Sequence, residues 1–408
     1  MAARATLSAT ARHMVDRRVW LVPLGIYLLA RSASAFLVTW LGNEQLPPDD
    51  PAAYVAATGS ATTRAAYLDL LGNWDGQYYL DIAANGYPGA LPRVDGAVIE
   101  NVWAFYPLFP GAVGLLGRTG IPLPLAATLV ATACGAAAMV LLFTMLSPTA
   151  GRFSAALTVT ACSFAPTSLL LQSAYTESMA LMEVVGLFLA MRHRRYGWAA
   201  VALAALAFTR PIALPVAAVL GVTWLVRRRA EQPFPRREML AHGGLALGAC
   251  LSFGAWPLVC GLVTGEVDAY ARTQEAWLEQ GEVWVTWLSP VVDGRQATLL
   301  VLSVPVVLYL VWLCLRRPSR VWGPELRAWV LLYPLYILAV SRPTTAVFRH
   351  LSLTTATAWP LPDVSSRART ARARLGLAAV VVCFGLALQY VFIDLLWVTT
   401  PDVVPGAP

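Results

Sequence analysis

Lysine is absent from this chain of 408 residues: all 30 of its basic side chains are arginine. With this much alanine, that choice reflects gene composition and points to no function. Charge of either sign is scarce, at 13% of residues, where a soluble domain carries about a quarter. The deficit excludes a soluble globular protein, because 58% of the chain is hydrophobic and the mean hydropathy is +0.60. The net charge of +7 does not mark a nucleic-acid binder, since the arginines gather in short loops between apolar runs. Metal-ligand spacing is missing as well. The six cysteines, at 134, 162, 250, 260, 314 and 383, lie in or beside apolar segments, which excludes a disulfide framework and leaves them as small core residues. Strand alternation, internal repeats and a separate soluble domain are all absent too, so the chain reads as one helical membrane unit over 1–408.

What is there is a series of apolar runs, several of about 20 residues, the length that crosses a bilayer as helix. The basic segment 1–18 precedes a first span near 19–41, which reads as an uncleaved anchor with a cytoplasmic N-terminus. The loop 42–103 holds eight acidic residues against Arg64 and Arg93, so it belongs outside. The remaining arginine clusters all fall on the cytoplasmic side if 104–120, interrupted by Pro107 and Pro110, dips into the outer leaflet without crossing. The crossings then lie near 121–146, 153–172, 175–191, 197–212, 213–226, 239–264, 297–315, 326–341, 344–361 and 375–398. With the first they make about 11, an all-α polytopic bundle. In this layout Glu177, Arg210, Arg342 and Arg349 sit near outer ends of spans, and Trp277, Trp284 and Trp287 sit in a second outer loop, 265–293.

The outer loop carries NWDGQYYLDIAANGY at 73–87. After Trp74-Asp75-Gly76 the pattern is helical, with Tyr79, Ile82 and Ala83 on one face, and Asn85-Gly86 ends it. A short amphipathic helix rich in tyrosine suits the membrane interface, and Asp81 reads as its wet face. Asp75 is different. At the helix start, N-terminal amides are expected to hold its carboxylate, suited to act as a general base toward a hydroxyl.

WDGQYYLDIAANGY followed by ENVWAFYPLFP resembles the PIG-V-like family of mannosyltransferases. PTSLLLQSAYTES at 166–178, Arg210-Pro211 and Gln274-x-x-Trp277 extend the likeness along most of 70–350. The family pattern is departed from at one place: PGALPRVDGAVI stands between Tyr87 and Glu100, which loosens the alignment of Glu100. The resemblance, to a bacterial member, implies a polyprenyl-phosphate-sugar-dependent GT-C enzyme in the plasma membrane with its active site outside the cytoplasm. It implies polyprenyl-phosphate-mannose as donor, a glycan or glycolipid hydroxyl as acceptor, and inversion at the anomeric carbon.

Carried onto this chain, the resemblance makes Asp75 the catalytic base. Arg210 and Arg349 are candidates for the donor phosphate, because guanidinium grips phosphate oxygens in pairs; each reads equally as a membrane anchor. Pro211 is expected to open the helix beside Arg210. Glu100 and Glu177 either hold acceptor hydroxyls, orient the arginines or neutralise Arg210. Trp74, Tyr78, Tyr79, Tyr175, Gln274, Trp277 and His350 complete the donor- and acceptor-binding candidates, the aromatics reading also as interface residues. No cofactor is indicated; the acids of the outer loop leave room for a divalent cation without ligand spacing. Other readings are a GT-C enzyme using a different polyprenyl-phosphate sugar, a transporter or flippase of lipid-linked sugars, which lacks its inverted repeat here, and a non-catalytic subunit. Arg31, about 18 Å along the first span, costs about 2.5–3.5 kcal/mol there unless paired, and Glu183 is its expected partner.

Overall fold

A computed structural model describes residues 20–45, 66–230, 235–277, 294–341, 346–355 and 365–398. Expected features at Arg342, Trp284 and Trp287 lie outside the described residues. The first helix, α1 (Leu21–Leu41), has its one proline, Pro23, in the first turn, where no helical hydrogen bond is lost. Two short helices follow, α2 (Tyr67–Leu70) and α3 (Gly76–Asn85); α3 stops where Gly86 takes φ 75°. The strands β1 (Arg93–Val94) and β2 (Ala97–Val98) pair antiparallel, and Asp95 and Gly96 turn between them at φ 49° and 80°. Both central residues at positive φ make the tight turn that matches strand twist. The insertion PGALPRVDGAVI is therefore a hairpin.

In the segment expected to dip, the helix is α4 (Leu108–Gly117), ten residues long, or about 15 Å. Next come α5 (Leu123–Ala150) and α6 (Arg152–Ser163). The expected crossing 153–172 is corrected here: α6 ends at Ser163, and 164–176 runs as turns around a 3-10 segment, Ser168–Leu171. A proline at 166 removes an amide and bars the preceding residue from continuing the helix. α7 (Glu177–Arg192), α8 (Tyr196–Ala207) and α9 (Ala213–Ala230) follow, with the chain open at 208–212 around Pro211. Then come α10 (Arg236–Ser252), α11 (Ala255–Thr264), α12 (Ala269–Trp277), α13 (Gly294–Leu315) and α14 (Gly323–Val340). The described part of the expected crossing 344–361 is two short helices, α15 (Ala346–His350) and α16 (Ser352–Thr355), rather than one. The last helix, α17 (Ala371–Phe392), runs on into a π turn to Trp397.

Among the described residues four helices are long and apolar enough to cross a membrane: Leu21–Leu41, Leu123–Ala150, Arg236–Thr264 and Ala371–Trp397. They fall on four of the expected crossings. The other expected crossings do not fall on these four helices, so a count of about 11 stays an expectation.

Helix α7 is the central post. It is apolar nearly all round and buried nearly all round, as a helix wrapped by others must be. Val184, Leu187 and Phe188 pack with Met139 and Phe143 of α5, Val216 of α9 and Trp329 of α14 in the main core. Each of its termini joins an ionic group. At one end lies Glu177. At the other, Arg192 bonds Glu325 at 3.3 Å, Glu325 bonds Arg227 at 3.1 Å, and Arg194 lies 3.4 Å from Glu238. Gly323 fits there because it has no side chain: a Cβ would meet the Arg192 guanidinium at 2.1 Å.

The expected Arg31–Glu183 pair is not formed. Arg31 donates to the carbonyls of Ser168 and, at 2.5 Å, Ser163, with its guanidinium 5.1 Å from the Tyr27 ring centre. Glu183 instead accepts from Thr209 at 2.9 Å. The cause is the early end of α6. A helix C-terminus presents unpaired carbonyls and the negative end of its dipole, and a buried guanidinium satisfies both.

Candidate active site

The site begins with a strained turn. Trp74 sits at φ 58°, a left-handed conformation that bulky residues rarely take. Its indole nitrogen donates to the Trp397 carbonyl at 3.1 Å, and Asn73 donates to the same carbonyl at 3.1 Å. Asn73 and Gln45 also exchange amide bonds, at 2.8 and 3.1 Å. These contacts fix the turn and deliver Asp75 to the start of α3. The strain is the kind that persists only where surroundings over-determine it.

Asp75 was expected to be held by helix amides, and this is corrected. Its backbone is already helical, at φ −57° and ψ −22°, and its side chain makes no cap bond. A capping residue needs an extended backbone for its carboxylate to fold back on the amides. Instead, Asp75 Oδ2 lies 2.6 Å from Arg349 Nη1.

From there a chain of charges runs inward. Arg349 Nε is 3.4 Å from Glu177 Oε1, and the same oxygen is 2.6 Å from Arg210 Nη1. Arg210 also donates to Thr176 at 3.2 Å, and the Tyr79 hydroxyl reaches Thr176 at 3.4 Å. The Tyr175 ring lies under Arg349, 5.3 Å from its central carbon, and its hydroxyl donates to the Asn73 carbonyl at 2.8 Å. Glu177 is the first residue of α7, where the helix dipole favours a carboxylate. Arg210 lies in the opening before Pro211, whose carbonyl accepts from Tyr336 at 2.5 Å. The Arg349 guanidinium also approaches His350 Nε2 at 3.5 Å, and the His350 carbonyl accepts from Tyr333 at 3.0 Å.

Two positive and two negative groups thus form one neutral network. Their exposure is uneven: the Glu177 side chain is 1% exposed, each arginine 10%, and Asp75 23%. Asp75 is the member that faces what enters.

Beside it stands an aromatic wall. Tyr78 stacks on Phe105 at 4.9 Å and 12°, and Trp277 meets both rings edge-on, at 5.1 and 5.5 Å. Trp277 is pinned by its indole bond to the Asn101 carbonyl at 3.2 Å, and Asn101 donates to Thr273 at 3.3 Å. Gln274 is half-buried next to Thr273 on α12. Glu100 is exposed at the end of the inserted hairpin. Burial, with help from the Glu100 and Asp75 charges, pushes the Tyr78 phenol up to about 12. Tyr78 therefore presents a neutral hydroxyl beside the carboxylates. Tyr79 points the other way, into the core, edge-on to Phe105 and Phe109 at 5.1 and 5.6 Å.

The structure therefore brings Asp75, Tyr175, Glu177, Arg210, Arg349 and His350 together, places Tyr78 and Trp277 on the adjoining wall with Glu100 near Tyr78, and leaves Gln274 half-buried on α12. Asn73, Thr176, Asn101 and Trp397 join the site without having been singled out in the sequence. Thr176 stands between two residues that were, so its signal was at hand; Trp397 had none. Among the described residues no cluster of His, Cys, Asp and Glu is arranged to hold a metal ion.

No protein-family model matches the chain, and no curated protein matches it. Among solved structures, the crystal structure of the Archaeoglobus fulgidus oligosaccharyltransferase in complex with zinc and sulfate is similar at a TM-score of 0.43 and 14% identity. The match covers 94% of this chain and 53% of that one, so this chain spans about half the length of the enzyme it is compared with. A likeness of that size carries neither a fold assignment nor an activity.

Proposed function

We propose that the protein is a membrane glycosyltransferase of the GT-C type. It moves a mannosyl residue from polyprenyl-phosphate-mannose to a hydroxyl of an extracytoplasmic glycan or glycolipid, with inversion. The observation that carries the reading is the continuous network Asp75–Arg349–Glu177–Arg210, in which a partly open carboxylate adjoins two guanidiniums. Such a pairing suits a reaction in which a hydroxyl loses a proton while a phosphate gains charge.

In the reaction, Asp75 takes the proton of the acceptor hydroxyl as its oxygen attacks the anomeric carbon. The new C1–O bond forms while the bond from C1 to the phosphate oxygen breaks, and that electron pair leaves on polyprenyl phosphate. Arg349 and Arg210 stabilise the charge that develops there, which fixed donors do best in a site shielded from water. Glu177 keeps both guanidiniums ionised and in place. Tyr78 and Trp277 offer flat faces to a sugar ring. The donor needs no nucleotide pocket, because its leaving group is carried by a lipid.

The test is transfer of label from polyprenyl-phosphate-mannose in membranes holding the parent or Asp75→Asn at equal expression. The parent is expected to transfer, and the variant to fold normally and lose about 10²–10⁴-fold in rate, the range of a positioned general base. Equal transfer by the two would remove Asp75 from the reaction. No transfer by the parent would remove the donor.

A further inference from the structure

We infer that the Asp75–Arg349 ion pair is a lock opened by the donor, so that Arg349 makes use of Asp75 conditional on an anion already bound. This rests on the reading of Arg349 as a donor-phosphate ligand. The argument starts from occupancy. Asp75 Oδ2 is taken up at 2.6 Å by Arg349 Nη1, the guanidinium that the phosphate also requires. The other two nitrogens are also turned to neighbours, Nε to Glu177 at 3.4 Å and Nη2 to His350 Nε2 at 3.5 Å, so a phosphate that grips the outer Nη1–Nη2 edge meets the Asp75 carboxylate on Nη1. Two anions on one nitrogen repel, and one of them gives way.

The surroundings make displacement of Asp75, and not of Glu177, the outcome. Glu177 is 1% exposed at the start of α7 and bridges both arginines, Arg349 through Nε at 3.4 Å and Arg210 at 2.6 Å. Displaced from Arg349, a buried carboxylate would lose one of its two compensating charges. Asp75 is 23% exposed and has water to turn to. Tyr175, beneath the Arg349 guanidinium, holds that group in place from the other side. When an anion arrives, Arg349 thus keeps its inner partner and gives up its outer one.

Binding order follows. Without donor, Asp75 is engaged and an acceptor hydroxyl finds no free carboxylate oxygen at Oδ2. With donor, the freed carboxylate stands beside the phosphate it has yielded to. After transfer it holds the acceptor proton and is neutral, so it does not compete while the leaving phosphate carries its extra charge. Departure of polyprenyl phosphate and loss of the proton to water restore the pair.

The probe is farnesyl phosphate, with inorganic phosphate in parallel, titrated into purified protein in detergent. Four forms are compared: parent, Asp75→Asn, Arg349→Gln and the double variant, each checked for folding by thermal unfolding. If the two anions compete for Arg349, Asp75→Asn is expected to bind farnesyl phosphate about tenfold tighter than the parent, the lower end for close charge pairs. In the Arg349→Gln background the same substitution is expected to change little. Unchanged or weaker binding by folded Asp75→Asn overturns the lock. A gain that persists without Arg349 also overturns it, since that would be a diffuse charge effect. A gain for inorganic phosphate equal to that for farnesyl phosphate supports a lock that reads the phosphate alone; a gain for the lipid only supports one that needs the chain seated. Saturable farnesyl phosphate binding without any gain, in a protein that still transfers mannose, defeats the lock and spares the enzyme reading. Failure of the parent itself to transfer mannose, with the tenfold gain intact, does the reverse.

Discussion

Glu177 is the residue on which the ionic network turns, because one of its oxygens serves two guanidiniums. Removing it leaves Arg210 and Arg349 buried with half their compensation. Loss of one partner from a buried pair costs about 3–5 kcal/mol, and Glu177→Ala is expected to fall in that range. The check is chemical denaturation of purified parent and variant in one detergent, and a loss below about 1 kcal/mol would show that the arginines find other partners. Asp75→Asn belongs at the opposite pole. It removes the most open member of the network, so its effect is expected on chemistry and on anion affinity and much less on stability. Arg31 teaches the same lesson from the other side: its partners are the carbonyls of Ser163 and Ser168, and reversing both Arg31 and Glu183 is expected to rescue nothing. Recovery of folding in that double reversal, assayed by yield of monodisperse protein, would restore the discarded pair.

Elements show which parts of the site could be read in advance. Residues 73–87 were legible because local rules govern them: the spacing of Tyr79 and Ile82 made a helix, and Asn85-Gly86 ended it. The Asp95-Gly96 pair was an equally local hairpin signal, but it lay in a stretch judged only as an insertion. The end of α6 had a warning in Pro166, outweighed by the apolar run that continues past it. The grip of Arg349 on Asp75 had no local signal whatever, since nothing in either segment names the other. Burial order, not sequence, decides which of several arginines meets which acid. A prediction also sits at this scale, where α3 and α4 touch. A Cβ on Gly114 would lie 2.9 Å from the Ala83 carbonyl oxygen, so the two helices approach through a missing side chain. Gly114→Val is expected to separate them at a cost of about 1–3 kcal/mol and, because Phe109 of α4 packs on Tyr79 and Tyr79 on Phe105, to loosen the aromatic wall. The part of the emission that Trp277→Phe removes would report it, since the chain holds 15 tryptophans: no shift in that difference spectrum would mean that the wall does not lean on α4.

At the scale of the whole molecule two buried ionic groups stand at opposite ends of α7, the candidate site at one and the Arg192–Glu325–Arg227 group at the other. The separation predicts independent failure. Glu325→Ala strips both arginines of a 2%-exposed partner and is expected to cost about 3 kcal/mol. Farnesyl phosphate affinity in the protein that does fold is expected to stay as in the parent. A parallel loss of both would mean that α7 transmits strain from one end to the other.

The length of that post has a consequence for the bilayer itself. Glu177 and Arg192, as the first and last residues of α7, stand about 22 Å apart by helix rise, whereas the hydrocarbon layer is about 30 Å thick. α5, packed alongside, is 28 residues long and close to 42 Å. Because α7 is wrapped by other helices, lipids meet its neighbours, and it is water that must fill the several ångströms between the ends of α7 and the plane of the headgroups. A recess of that kind above the network would let a phosphate sit below the general plane of the headgroups. Short-chain bilayers narrow that gap, so transfer per folded molecule is expected to be faster in vesicles of fourteen-carbon than of twenty-carbon phosphatidylcholine chains. Indifference to chain length would mean that the two charged ends reach water without moving the membrane.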